Sequence, residues 1–301
     1  MPLTDAFTGR LPRSAWYPAS TPGLAARDVP LADGEHARVV EGGPAGRDPV
    51  VFVHGWGCSA YYWRHLLPAV ADTGRAIVAV DLRGHGGSSR PARAGAYTAP
   101  AMRDMLRDLL DALGLERPHV VAHSLGGGVS LDLAAAYPER VRSLALLAPV
   151  GVAPVRWVTL ARVATPLVAA PLVPYAVPRW SIPLALRAVQ GTERAWGSRD
   201  VDEYWAPTAD PAFAVALRAL LHEYRYEART DVELGAVQAP VLAMWGARDL
   251  LVRSRASHAR VARRPGWRSI LLERAGHVLA EEVPATVLEA LGPHLDDHAA
   301  T

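Results

Sequence analysis

The feature that most restricts this chain is a rhythm of short, almost wholly apolar runs separated by stretches with helical periodicity. The runs cover residues 49–54, 76–81, 119–123, 141–148, 240–245 and 267–272, and several end in a turn of Gly, His or Asp. Apolar runs of this length suit strands covered on both faces, as in a parallel sheet. Residues 61–70, 99–114, 126–137 and 283–291 carry apolar positions at helical spacing. Strands alternating with helices imply right-handed crossovers and an α/β fold, a mostly parallel central sheet flanked by helices. In such sheets chemistry collects at the carboxyl ends of the strands.

Between residues 150 and 239 the rhythm stops. This stretch holds Pro154, Pro166, Pro171, Pro174, Pro178 and Pro183, with Trp157, Trp180, Trp196 and Trp205, and no convincing strand. Residues 212–226 read as an amphipathic helix. The expected organisation is an N-terminal arm over 1–33 and a core over 34–149 and 240–295. A mostly helical cap over 150–239 is inserted into that core, and a loose tail covers 296–301. The plainer alternative is that the 150–239 helices belong to the core itself. A length of 301 residues suits one sheet domain with an insertion.

Composition excludes several classes. The 32 basic residues are all arginine and face 30 acidic ones, with no run of five or more like charges, so nothing calls for nucleic acid or an anionic membrane. Cys58 is the single cysteine, which excludes an intrachain disulfide and argues against a thiolate zinc site. The histidines fall singly, and no metal and no cofactor is expected. The apolar run 163–177 is broken by Pro166, Pro171 and Pro174 and is too short to span a bilayer as a helix. Residues 1–20 lack the apolar core of a signal peptide, so a cytoplasmic protein is expected.

The strongest local signal is His119-Val120-Val121-Ala122-His123-Ser124-Leu125-Gly126-Gly127-Gly128. A buried strand runs straight into a serine flanked by small residues, and a helix follows. Such a turn strains the serine backbone and presents its hydroxyl at the positive end of a helix. The bland reading is an ordinary strand-to-helix turn capped by Ser124. Serine is a weak nucleophile and needs a base, which in turn needs an orienting acid. His277, in Arg274-Ala275-Gly276-His277, follows the last apolar run, and Asp249, in Gly246-Ala247-Arg248-Asp249, follows the one before. Singly, His277 reads as a surface-loop histidine and Asp249 as a turn or capping residue; together the order Ser, Asp, His on three post-strand loops reads as the order of a catalytic triad. The glycine-rich His54-Gly55-Trp56-Gly57 also follows a buried strand, and the backbone N–H groups of Trp56 and Leu125 are the candidate oxyanion donors. His54 reads as structural, holding that loop. Cys58, close after it, either lines the pocket or packs.

With these motifs the chain resembles the α/β-hydrolase family, in its cap-bearing branch, from about residue 34 to residue 295. The resemblance rests on His54-Gly55-Trp56-Gly57, Asp81-Leu82-Arg83-Gly84-His85-Gly86-Gly87-Ser88, Ala122-His123-Ser124-Leu125-Gly126-Gly127, Gly246-Ala247-Arg248-Asp249 and Gly276-His277, in the family's order. It implies that Asp81 and Arg83 are structural. Ala122 departs from the family in occupying a place usually held by glycine. A serine nucleophile disfavours the dehalogenase and epoxide-hydrolase chemistries, which use Asp there. Some members carry the acid after the preceding strand, but Ala148-Pro149-Val150-Gly151 holds none, which favours Asp249.

The expected reaction is acyl transfer to water through an acyl-enzyme on Ser124, and the resemblance alone places an ester ahead of an amide. Residues 149–186, rich in Val, Leu, Ala and Trp, would roof a pocket for a small hydrophobic substrate, or merely pack the cap onto the core. Rival readings with the same triad are a carbon–carbon bond hydrolase, a perhydrolase, or a thioesterase or lactonase. A binding or receptor protein that keeps the fold without turnover is the rival from another class.

Overall fold

The computed structural model describes residues 9–44, 48–155, 158, 161–162 and 177–299. Its eight strands are β1 (Leu24–Pro30), β2 (His36–Gly42), β3 (Val50–Val53), β4 (Ile77–Val80), β5 (His119–His123), β6 (Ser143–Leu147), β7 (Val241–Gly246) and β8 (Trp267–Leu272). They form one sheet in the order β1-β2-β4-β3-β5-β6-β7-β8. β2 pairs antiparallel with β1 and β4, and every other pairing is parallel. Every residue of β3, β4, β5, β6 and β7 is buried, which explains why these strands carry no polar alternation.

Ten α-helices are described: α1 (Leu67–Ala71), α2 (Ala99–Ala112), α3 (Ser124–Ala136), α4 (Ser181–Val189), α5 (Ser198–Trp205), α6 (Pro211–Glu223), α7 (Asp231–Gly235), α8 (Ser254–Val261), α9 (Leu279–Glu282) and α10 (Pro284–Asp296). Alternate strand residues face opposite layers. Val51 and Val53 pack in one apolar cluster with Met102, Leu106 and Leu109 of α2 and Val129 and Leu133 of α3. Val50 and Phe52 pack in another with Leu67 of α1 and Val287 and Leu291 of α10.

Three expectations are corrected. The arm over 1–33 is not outside the sheet, because β1 forms its edge, with Arg27 opposite Val39 and Val29 opposite Ala37. Its exposed Ala25, Ala26, Arg27, Asp28 and Pro30 leave no apolar run to read, as suits an edge kept from pairing with other strands. Residues 61–70 are not one helix but a 3-10 turn, Ala60–Trp63, followed by the short α1. The tail does not loosen at residue 296: α10 ends there, and the Asp296 carboxylate accepts a 2.7 Å hydrogen bond from the buried Arg75 guanidinium.

Between β6 and β7 the described residues contain helices and no strand. Most of the apolar run 163–177 lies outside the described residues. Among the described residues no helix is long and apolar enough to cross a membrane.

Two buried histidines give the fold a pH dependence. His119 Nδ1 lies 2.8 Å from Ser143 Oγ between β5 and β6, and His294 is buried on α10. Burial lowers both from 6.5 to about 4. Between those values the unfolded chain binds more protons than the folded one, so stability is present above pH 6.5 and is lost as pH falls. Acidifying from about pH 7.5 to about pH 5 should cost about 1–2 kcal/mol per histidine. Thermal melts across that range should show Tm falling, less steeply in a His119→Gln variant. A Tm that stays level would contradict this account.

Candidate active site

β5 passes into α3 without a loop. His123 is extended, at φ −116° and ψ 137°, and Ser124 takes the left-handed φ of 49°. A non-glycine residue there is strained and persists only where its surroundings hold it. Here they do: the Ser124 carbonyl accepts the Val150 N–H at 3.1 Å, and α3 lies against the end of β3. A Cβ at Gly126 would lie 2.4 Å from the carbonyl oxygens of Val53 and His54, so only glycine permits that approach. The methyl of Ala122, one residue before His123, is accommodated fully buried between Val53 and Leu146 on the neighbouring strands.

His277, on the loop after β8, places Nε2 2.9 Å from Ser124 Oγ and Nδ1 2.7 Å from Asp249 Oδ2. Asp249 follows β7, and its other oxygen, Oδ1, accepts the N–H groups of Leu251 at 2.7 Å and Val252 at 3.1 Å. An ionised carboxylate only accepts, so the imidazole proton resides on Nδ1 and Nε2 is left to accept from the serine hydroxyl. Three side chains from the carboxyl ends of β5, β7 and β8 thus form one hydrogen-bonded line. It can take a proton from Ser124 and store it as an imidazolium beside a carboxylate.

The backbone of His277 is held as closely as its ring. Its N–H donates to the Val189 carbonyl at 2.9 Å, and its carbonyl accepts from His123 Nε2 at 3.0 Å. His123 stacks on Tyr62 with centroids 4.3 Å apart and planes at 15°. Burial, with His277 beside it, drives the His123 pKa well below the ordinary value, so it serves as a neutral donor. The sequence gives no role to His123; the only signal is its place immediately before Ser124, after the apolar Val120, Val121 and Ala122.

The glycine-rich loop after β3 is held by a pair of neutral histidines. His54 Nε2 accepts the Leu82 N–H at 3.0 Å and its Nδ1 donates to the Gly55 carbonyl at 2.7 Å. His85 Nε2 accepts the Gly57 N–H at 3.0 Å and its Nδ1 donates to the Arg83 carbonyl at 3.2 Å. Burial lowers both pKa values, which keeps these Nε2 lone pairs available. The loop presses on the elbow: a Cβ at Gly55 would lie 2.7 Å from His123 Nδ1 and 3.0 Å from Ser124 Cβ. Asp81 supports the same region, with Oδ1 accepting the Ala60 N–H at 2.7 Å and Oδ2 the Gly87 N–H at 2.8 Å. Arg83 pairs with Glu35 at 2.6 Å and with Asp33.

A cavity of about 460 Å³ reaches Ser124 and His277. The core contributes Trp56, Gly57, Cys58, His123, Leu251 and Val278. Val177, Ile182, Ala185, Leu186, Val189, Tyr204, Phe213 and Leu217, from the insertion, cover the other side. Trp56 joins the two halves, since its indole N–H donates to the Leu217 carbonyl of α6 at 3.0 Å. Leu125 follows Ser124 at the start of α3, where a backbone N–H has no intrahelical acceptor. Cys58 lines the cavity and also packs against the apolar cluster beneath it, and burial raises its pKa, keeping it a neutral thiol. Among the described residues no group of His, Cys, Asp and Glu side chains is arranged to hold a metal ion.

Residues 48–284 match the alpha/beta hydrolase fold family. The chain belongs to that family. An uncharacterized protein of Mycobacterium tuberculosis (strain ATCC 25618 / H37Rv) is 30% identical over 276 residues, spanning 86% of this chain and 77% of its own length. A solved membrane phospholipase A, described as a bacterial virulence factor, is 27% identical with a TM-score of 0.75, covering 91% of this alpha/beta hydrolase and 86% of the phospholipase. Naproxen esterase from Bacillus subtilis superposes with a TM-score of 0.72 over 93% of each chain. At 22% identity that likeness speaks for the fold alone.

Proposed function

We propose that this alpha/beta hydrolase is a serine esterase that cleaves a carboxylic ester, or a related acyl bond, of a small hydrophobic substrate. The observation that carries the reading is the Ser124–His277–Asp249 line, bonded at 2.9 and 2.7 Å, ending at an apolar cavity. His277 Nε2 takes the Ser124 proton as Oγ adds to the carbonyl carbon. The backbone N–H groups of Trp56 and Leu125 hold the resulting oxyanion. Collapse expels the alcohol, which leaves with the proton from His277. Water then gives a proton to His277 and its oxygen to the acyl carbon, and as the acid is released His277 returns that proton to Ser124 Oγ.

The proposed cap is the segment 150–239, which supplies half of the cavity wall and would shield the acyl-enzyme from bulk water. With Val177, Ile182, Leu186, Val189 and Leu217 in that wall, affinity should come from buried methylenes. Each is worth about 0.8 kcal/mol, or roughly fourfold in kcat/KM, until the cavity is filled. Hydrolysis of p-nitrophenyl esters from acetate upward should therefore accelerate with acyl length and then level off. A flat or falling profile from acetate would remove the hydrophobic-substrate part of the proposal, and no hydrolysis of any ester would remove the esterase part.

A further inference from the structure

The carboxylate of Glu282, the last residue of α9, takes no arginine partner among the described residues and is occupied by backbone amides instead. Oε2 accepts the N–H groups of Gly191 at 2.7 Å, Thr192 at 2.9 Å and Gly276 at 3.1 Å. Oε1 accepts those of Gly276 and Val278, both at 3.1 Å. Gly276 and Val278 are the two neighbours of His277. Gly191 and Thr192 belong to the turn after α4, a strap that begins at Val189 of the cavity wall.

That strap and the histidine loop lie face to face. The His277 N–H donates to the Val189 carbonyl at 2.9 Å. A Cβ on Gly276 would lie 2.2 Å from the Gly191 nitrogen, and one on Gly191 2.4 Å from the Gly276 nitrogen, so the two backbones touch with nothing between them. Arg248, next to Asp249, donates to the Gly191 carbonyl at 2.9 Å. One carboxylate therefore gathers four amides, two from the residues on either side of His277 and two from the strap. Charge-assisted bonds of this kind are stronger than those between neutral groups and fix direction as well as distance. A histidine on a loop has no sheet ladder to define its backbone; here Glu282 holds the amides of Gly276 and Val278 and the Val189 carbonyl holds the His277 N–H between them.

We propose that Glu282 is a positioning residue: it fixes the backbone on both sides of His277 and ties the 189–192 strap to it, so that seating of the insertion and aim of the imidazole are one event. The proposal rests on the reading of His277 as the base for Ser124. A misplacement of about 1 Å in a reacting group costs on the order of 100-fold in rate. Glu282→Gln keeps the shape and leaves one acceptor oxygen where the carboxylate has two.

The test compares Glu282→Gln with the unaltered protein in kcat and KM on a p-nitrophenyl ester and in the rate of fluorophosphonate addition to Ser124. The low-field proton resonance of an imidazole N–H bonded to a carboxylate is followed alongside. The expected result is a fall of about 10- to 100-fold in kcat and in the phosphonylation rate. KM should move by less than about threefold, and the resonance should broaden as the His277–Asp249 bond loses its fixed geometry. Glu282→Asp, which keeps the charge with a shorter reach, should recover part of both rates and gives the same readouts if the glutamine variant does not fold. Folded variants with both rates within about twofold of the parent and an unchanged resonance would overturn the proposal. If that occurs while Ser124→Ala abolishes turnover, the esterase reading stands and only the role of Glu282 falls. If Ser124→Ala retains turnover, both fall.

Discussion

Replacing Ser124 by alanine should lower ester turnover by about four to six orders of magnitude and leave the fold intact. The size follows from what the change removes: without Oγ there is no acyl-enzyme, and the remaining cavity and oxyanion donors support only the residual catalysis seen when a triad member is deleted elsewhere. The fold should survive because the elbow does not depend on the hydroxyl. The left-handed Ser124 is held by the Val150 N–H on its carbonyl and by the close approach of Gly126 to β3. Loss of the bond to His277 Nε2 should cost about 1 kcal/mol of stability. Initial rates with a p-nitrophenyl ester and a thermal melt check both halves. A variant that melts normally and keeps the parent rate would mean that the hydroxyl takes no part in the reaction.

Asp249→Asn should be nearly as damaging, by about 10⁴-fold in kcat, with KM little changed. The balance of donors and acceptors decides the size of the effect. Asp249 Oδ1 already accepts from the amides of Leu251 and Val252, so an asparagine must keep its oxygen there and turn its NH₂ toward His277 Nδ1. Nδ1 then has to accept, the imidazole proton moves to Nε2, and the nitrogen facing Ser124 Oγ can no longer take a proton. Steady-state kinetics of the folded variant provide the check. Activity within about tenfold of the parent would mean that another group orients His277.

What could be read in the sequence follows from where side-chain chemistry alone decides the structure. β5 and the start of α3 were legible because a strand buried on both faces leaves an apolar run, and because an elbow demands small residues around Ser124. β8 was located at its ends by its Trp267 and its Ile270-Leu271-Leu272, although it is the other edge strand, with Arg268 exposed and the rest only partly buried. β1 was not legible, since an edge strand is chosen to avoid the apolar signature, and Arg27, Asp28 and Pro30 left it within the N-terminal arm. The pair of neutral histidines at the glycine-rich loop was half legible. His54 stands in a motif, but the part played by His85 appears only when β3 and β4 lie side by side and bring Gly57 to its Nε2.

The supports of His277 were the least legible part of the site. His123 reaches a carbonyl 154 residues away in the chain, and Glu282 gathers backbone amides from two loops, so neither leaves a pairing of side-chain types to notice. Backbone acceptors and donors are present at every residue, and only the fold determines which of them meet. Of residues 149–186, expected to roof a pocket, Val177, Ile182, Ala185 and Leu186 line the cavity, and most of the rest of that stretch lies outside the described residues. The cavity wall draws equally on Tyr204, Phe213 and Leu217 farther along the insertion.

The central claim is that Ser124 is a nucleophile made reactive by His277 and Asp249. It is tested most directly by treating the folded protein with a fluorophosphonate and mapping the adduct by peptide mass spectrometry. A single adduct on Ser124 is expected, formed in proportion to the loss of ester turnover, absent from Ser124→Ala and much slowed in Asp249→Asn. An adduct on another residue, or none in protein that melts cooperatively and hydrolyses esters, would contradict it.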